Sequence, residues 1–219
     1  MKSNSSNKIG HVAIIMDGNS RWARQRSLKT IEGHKHGVNR LRDIVRYSAK
    51  SEITHLSVFA FSTENWKRSA SDVSDLMKLF LQSIIKEVPE LIENKVQLNF
   101  IGDIPRFSKS LVSQINSAMK DTQAKKPNLN LNIAISYGGR WDILNAIKRL
   151  KDQQINIDKI NEEDFSNLLS TSNFPDPDLL IRTGDEIRIS NFFLWQISYS
   201  ELYTSLVSLN LLYPKLILP

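Results

Sequence analysis

Four polar clusters follow directly on apolar runs, and they hold most of the residue types able to do chemistry. Asp17-Gly18-Asn19-Ser20-Arg21-Trp22 follows the run 12–16, and Ser62-Thr63-Glu64-Asn65-Trp66-Lys67-Arg68 follows 55–61. Gly138-Gly139-Arg140 follows 131–137, and Thr183-Gly184-Asp185-Glu186-Ile187-Arg188-Ile189-Ser190-Asn191 follows 179–182. Asp17 offers the single carboxylate with which Mg²⁺ is commonly held beside phosphate oxygens. The competing assignment is that Asp17 caps a helix starting near Ser20 or Arg21, whose free N–H groups would face an anion. Arg21, Arg68, Arg182 and Arg188 supply the fixed charge and forked donors that diphosphate recognition uses. Salt bridges from Arg182 to Asp178 or Asp185, and from Arg188 to Glu186, are the structural alternative. Asn65 and Trp66 lie in a polar loop of the kind that binds ligands, although a Trp there can equally close the core. His34 and His36 alternate, so a helix would point their rings apart, which suits a phosphate donor or proton relay better than zinc.

These clusters need elements to position them. The runs 12–16, 55–61, 96–101, 131–137 and 179–182 are short and rich in Val, Ile and Phe, as doubly buried parallel strands are. Between them, apolar residues recur at helical spacing over 37–50, 72–94, 107–123, 141–152 and 162–170. Strand–helix alternation predicts an α/β fold, one domain over 1–219 with a central, mainly parallel sheet flanked by helices. In such sheets ligands bind at the carboxyl ends of the strands, so the four clusters are expected to converge there.

Composition narrows the class. The 219 residues carry 41% hydrophobic and 24% charged residues, which suits a globular domain and excludes a disordered or collagenous chain. There is no cysteine, so disulfides, thiol nucleophiles and Cys-ligated metals are excluded. Residues 1–8 form a polar tail without the apolar core of a signal peptide, and no apolar run approaches the ~20 residues of a membrane span. A soluble, cytoplasmic protein is the expectation. The net charge of +6 is concentrated in 21–50, where nine basic residues face Glu32 and Asp43. That window suggests an anionic ligand, nucleic acid included, yet it lacks a recognisable nucleic-acid module or a series of stacking aromatics. P-loop, dinucleotide-binding and nucleophile-elbow motifs are absent.

The motifs together identify a family. His11-Val12-Ala13-Ile14-Ile15-Met16-Asp17-Gly18-Asn19-Ser20-Arg21-Trp22-Ala23 resembles the opening motif of the cis-prenyltransferases of the bacterial undecaprenyl diphosphate synthase type. The similarity continues in order through Gly33-His34, Phe59-Ala60-Phe61-Ser62-Thr63-Glu64-Asn65-Trp66, Tyr137-Gly138-Gly139-Arg140-Trp141-Asp142, Asp178-Leu179-Leu180-Ile181-Arg182-Thr183-Gly184 and Arg188-Ile189-Ser190-Asn191-Phe192. It spans about residues 9–205.

The resemblance implies a homodimer with a hydrophobic product tunnel, and Mg²⁺-dependent condensation of isopentenyl diphosphate onto an allylic diphosphate with cis double bonds. It makes Asp17 an essential Mg²⁺ ligand, with a further metal contact from Glu201. Gly18, Asn19, Ser20 and Arg21 would cradle the allylic diphosphate beside Trp22 and His34. Ser62, Thr63, Glu64, Trp66 and Arg68 would belong to a loop over the substrates, and Asn65 is the implied proton acceptor. Arg182, Arg188, Ile189 and Ser190 would hold isopentenyl diphosphate. It also implies release of product towards a membrane and no nucleic-acid partner. A non-catalytic subunit of a prenyltransferase complex is the rival within the family, against which the complete Asp17 motif speaks. The chain departs from the pattern at Ser20 (usually Gly), Thr30 (usually Arg), Asp185 (usually Gly), Ile187 (usually His) and in the divergent, apolar tail 206–219.

Overall fold

Each of the five predicted runs becomes a strand within two residues of the expected bounds: β1 (His11–Ile15), β2 (His55–Ser62), β3 (Val96–Ile101), β4 (Leu129–Tyr137) and β5 (Leu179–Arg182). The computed structural model describes residues 9–212, so the polar tail 1–8 and the end of the apolar tail lie outside the described residues. A sixth strand, β6 (Glu201–Thr204), was not legible, because its exposed residues offer no buried apolar run. The helices are α1 (Asn19–Arg24), α2 (Thr30–Ser48), α3 (Ala70–Glu93), α4 (Lys109–Asp121), α5 (Gly139–Asp152) and α6 (Glu162–Ser166).

α2 begins seven residues before the expected start. Gly33 and Gly37 disfavour helix, yet they lie within α2 where it crosses α1. A Cβ on Gly33 would stand 2.2 Å from the Asn19 carbonyl oxygen, and one on Gly37 2.6 Å from the Asn19 side-chain nitrogen. Close packing between helices outweighs helix propensity there. α6 stops four residues short of expectation; Leu168 and Leu169 leave the helix and enter a small core with Ala146 and Leu150 of α5.

All pairings are parallel, in the order β3-β4-β2-β1-β5-β6. Both faces of the sheet are covered. Val12, Ile14, Leu56, Val58, Leu98 and Leu131 face the core shared with α2, α3 and α4. Ala13, Ile15, Ala134, Tyr137 and Leu180 face the layer of Phe192 and Phe193. The second face also carries a polar row across four strands. His11 Nε2 lies 2.8 Å from Ser57 Oγ, Asn132 donates to that oxygen at 3.1 Å, and Asn99 donates to Asn132 at 3.0 Å. Each buried polar group thereby finds a partner, as burial requires.

The β2–β4 register shifts between Phe59 and Phe61. The extra residue, Ala60, breaks the alternation of side chains, so Ala60 and Phe61 both join the core towards α2 and α3. β1 is flanked by β2 on one side and β5 on the other, and the chain crosses it between β4 and β5. This is a topological switch point, where the loops behind β1, β2 and β5 can part around a ligand.

Candidate active site

The loop after β1 is pinned by its neighbours. The Asp17 N–H donates to Thr183 Oγ at 2.9 Å, the Thr183 hydroxyl lies 2.8 Å from the Asp17 carbonyl, and the Leu209 N–H donates to that carbonyl at 3.2 Å. Gly18 has φ 92°, and a Cβ there would stand 2.7 Å from the Ser208 side chain. Gly184 (φ 89°) would likewise put a Cβ 2.7 Å from the Gly18 nitrogen. Glycine is needed at both positions so that the two loops can meet.

The Asp17 carboxylate does not cap α1, whose N-cap is Gly18 without a side-chain hydrogen bond. One of its oxygens accepts the Gly18 N–H at 2.6 Å, and the other accepts Arg182 Nη2 at 2.7 Å. The Asp17 side chain stays 34% exposed, whereas that of Arg182 is only 6% exposed, so the carboxylate keeps an open side. Arg182 therefore pairs with neither Asp178 nor Asp185. Its other Nη donates to Ser190 Oγ at 2.6 Å and to the Arg188 carbonyl, while its Nε is buried without a partner. Arg188 and Glu186 do pair, at 2.8 Å, and Glu186 also faces Arg21 at 3.5 Å. Arg21 in addition donates to the Gly184 carbonyl. The result is one charged lattice joining α1 to the loop after β5.

The loop after β2 reaches the same place. Asn65 Oδ1 accepts the Ser62 N–H at 3.0 Å, and Glu64 accepts from Asn191 at 2.9 Å. Burial would push the Glu64 carboxyl up, but hydrogen bonds from its own backbone, Asn191, Thr63 and Ser62 outweigh it and hold the group below its usual value. His34 lies 3.5 Å from Ser20 Oγ. Burial first, and Arg68 second, lower its pKa to about 4, so the ring is neutral near pH 7.

Asp17, Asn19, His34, Ser62, Glu64, Asn65, Arg68, Arg182, Arg188 and Ser190 all line one cavity of about 720 Å³. From this polar end the cavity continues between α2, α3 and the sheet, past Val38, Leu41, Ala60, Leu76, Phe80 and Ile133. Gly18, Ser20 and Arg21 are not among the residues that line it. Trp22 lies outside the lining against His36, with Arg26 over its ring. Trp66 closes the core instead of facing the cavity: its Nε1 donates to Ser136 Oγ at 2.9 Å, and its ring meets Phe61 and Phe107. Thr63 bonds Glu64, and Ile189 packs in the Phe192 layer.

Glu201 is not brought to Asp17 within one copy. It is level with Leu179, and thus with Val12, at the amino end of the strands. Five residues of strand then separate that level from Asp17, about 16 Å. Thr30 opens α2 as an exposed residue outside the cavity, and Asp185 (φ 63°) adopts the left-handed region that Asp tolerates.

Sequence reasoning gave no role of their own to several members of the site. Asn191 ties Glu64 to the loop after β4 by accepting the Gly139 and Arg140 N–H groups. Thr183 and Leu209 hold the Asp17 loop. Within the basic window 21–50, Lys35 pairs with Glu32, Arg40 with Asp43, Arg42 with Glu87 and Arg46 with Glu90.

A charged rim opening into an apolar cavity, at the switch point of a parallel sheet, is the arrangement on which comparison with known proteins bears. Residues 15–216 match the prenyltransferase family described as putative undecaprenyl diphosphate synthase. The chain belongs to that family. It is 45% identical over 197 residues to the ditrans,polycis-undecaprenyl-diphosphate synthase of Legionella pneumophila strain Paris, covering 88% of this chain and 82% of that one. To the isoprenyl transferase of Neisseria meningitidis strain Z2491 it is 47% identical over 193 residues, covering 88% and 77%. The crystal structure of lavandulyl diphosphate synthase from Lavandula x intermedia, in complex with dimethylallyl diphosphate, superposes with a TM-score of 0.89 at 35% identity, covering 93% and 89% of the two chains.

Proposed function

We propose that this prenyltransferase condenses isopentenyl diphosphate onto an allylic diphosphate, by preference farnesyl diphosphate, and repeats the step to undecaprenyl length with cis double bonds. The observation that carries the reading is the cavity, charged at one end and hydrocarbon-lined along the rest. It suits a substrate with a diphosphate head and an isoprenoid tail. Each added unit buries apolar surface at roughly 25 cal/mol per Å², which favours retention of the growing chain.

In each cycle the allylic C–O bond breaks and diphosphate leaves. A C–C bond forms to C4 of isopentenyl diphosphate, and C2 loses a proton. Arg21 and Arg68 neutralise the departing diphosphate, while Arg182, Arg188 and Ser190 hold the other substrate. Charge placed where it develops is generally a large catalytic contribution. Asn65 Oδ1 is engaged by the Ser62 N–H, which leaves its NH₂ to orient a substrate oxygen. We assign the proton to a phosphate oxygen, since an amide is a poor base.

Mg²⁺ fits this chemistry. The described residues hold no cluster of three or more acidic, His or Cys groups, but Mg²⁺ bound to phosphates needs only one or two protein carboxylates. Asp17, with its open side, would hold the ion, which neutralises diphosphate charge when bound.

A second copy of the chain suits the β6 edge. There Leu202 is 62% and Tyr203 45% exposed, beside Tyr199 and Leu206, and an open apolar sheet edge calls for a cover. Glu201 lies on that edge. The same reading makes this a cytoplasmic enzyme that delivers a lipid carrier for cell-wall synthesis to the membrane.

Purified protein with Mg²⁺, farnesyl diphosphate and labelled isopentenyl diphosphate is expected to yield labelled polyprenyl diphosphate, and Asp17→Ala to abolish it with the fold retained. A mutant with near-normal turnover would overturn the assignment of Asp17, and a wild-type protein without chain products would overturn the function.

A further inference from the structure

The wall of the cavity changes character far from the diphosphate end. α2 passes the site at His34, in its second turn, and α3 starts two residues after Arg68; both run away from the site along the sheet. Two turns beyond His34, about 12 Å along the axis, Arg42, Glu87 and Glu90 join the lining beside Val45, Ile84 and Leu91. Arg42 with Glu87, and Arg46 with Glu90, form two forked bridges between the helices. Arg42 Nε and Nη2 donate to Glu87 at 2.6 and 2.5 Å, and Arg46 Nε and Nη2 donate to Glu90 at 2.5 and 2.8 Å.

Spacing puts each pair of like residues on one helix face. Arg42 and Arg46 are four apart on α2, while Glu87 and Glu90 are three apart on α3. The Arg42 and Glu87 side chains are each 20% exposed, so the inner bridge is shielded from water and the outer one less so. Pro89 lies between the two glutamates. It has no N–H to return to the Ile85 carbonyl, and the backbone ladder of α3 is therefore interrupted in the very turn that the bridges hold. Nearer the site, Val38 and Leu41 of α2 and Leu76 and Phe80 of α3 line the cavity from opposite sides. There the cavity itself separates the helices.

We propose that the Arg42–Glu87 and Arg46–Glu90 bridges set the length of the product by holding α2 against α3 over the far end of the cavity. The proposal rests on chain elongation as the function of the same cavity. An apolar tail gains burial along Leu41, Phe80 and Ile84, but fixed, paired charges offer it no hydrocarbon contact. To pass between the helices the tail would have to separate four charge-assisted hydrogen bonds. Arginine is suited to the task because its planar fork fixes the relative position of the two helices, which a lysine point charge does not.

The test is the chain-length profile of Glu87→Gln/Glu90→Gln, which removes both charges at constant volume. Products should lengthen by one or more isoprene units, with at least a tenfold rise in the fraction longer than any major wild-type product. Arg42→Lys/Arg46→Lys, which keeps the charge and loses the fork, should give a smaller shift in the same direction. The reciprocal double Arg42→Glu/Glu87→Arg should return the profile towards wild type from that of Arg42→Glu alone. A purely structural role predicts a lower melting temperature with an unchanged profile, and that outcome, or shorter products, overturns the proposal. If the wild-type protein makes no polyprenyl products, the functional reading itself fails. Should the glutamine double not fold, the lysine double decides.

Discussion

At Asp17 the backbone is pinned by Thr183 and Leu209, whereas the carboxylate is shared between the Gly18 N–H and the Arg182 fork. Arg182 spans Asp17, Ser190 and the Arg188 carbonyl from a buried position, and only a forked donor can serve all three. Arg182→Lys keeps the charge and loses at least one charge-assisted bond, each contributing roughly 1.5–3 kcal/mol. Steady-state kinetics should show kcat/KM lowered by about 10- to 100-fold. An unchanged value would show that the fork is not used in the reaction. Residue types disclosed part of this site in advance: a carboxylate followed by glycine, and arginines in the loops behind other strands. They could not disclose which charge meets which. Arg182 passes over Asp178 and Asp185, near in sequence, for Asp17 in the loop behind an adjacent strand, and Trp66 turns into the core because Ser136 and Phe107 receive it there.

At the scale of elements, the strands were legible because doubly buried parallel strands concentrate Val, Ile and Phe. β6 was not, since an exposed edge has no such pattern. The start of α2 was hidden by two glycines whose purpose lies in α1. The shift at Ala60 was hidden as well, because a bulge is a matter of pairing between strands. It has a functional consequence: Phe59, Ala60, Phe61 and Ser62 in succession line the cavity, where a regular strand would offer only alternate residues. A larger side chain at Ala60 would have to overpack that wall. Ala60→Leu should shift products to shorter chains while the first condensation continues. Unchanged lengths in a product assay would show that the tail takes another path.

For the whole molecule, the polar row on the second face of the sheet ties stability to pH. Burial is the main cause that lowers His11 from 6.5 to about 4, helped by the neighbouring His55 and opposed by hydrogen bonds to the backbone of Pro175 and Asp176. His34 is lowered to about 4 as well. Both rings stay neutral in the folded chain at pH values where they take up a proton in the unfolded chain. Their contribution is thus complete above about pH 6.5 and is lost as the pH falls from there towards 4. Each histidine costs up to about 1.4 kcal/mol per pH unit in that window. Urea titrations at pH 7.5, 6 and 5 should show a steepening loss of stability, made shallower in His11→Gln. Equal slopes in the two proteins would remove His11 as its source.

The contacts that hold Asp17 carry a consequence for the order of events during synthesis. Arg182 stands 165 residues downstream of Asp17, and Leu209 follows it. At roughly 5–20 residues per second, a ribosome needs on the order of 10–40 s to proceed from Asp17 to Leu209. For most of that interval β1 has no β5 beside it, its apolar edge is open, and the Asp17 loop lacks Arg182, Thr183 and Leu209. Whatever β1 to β4 and their helices form before then, they do so without the contacts that hold Asp17.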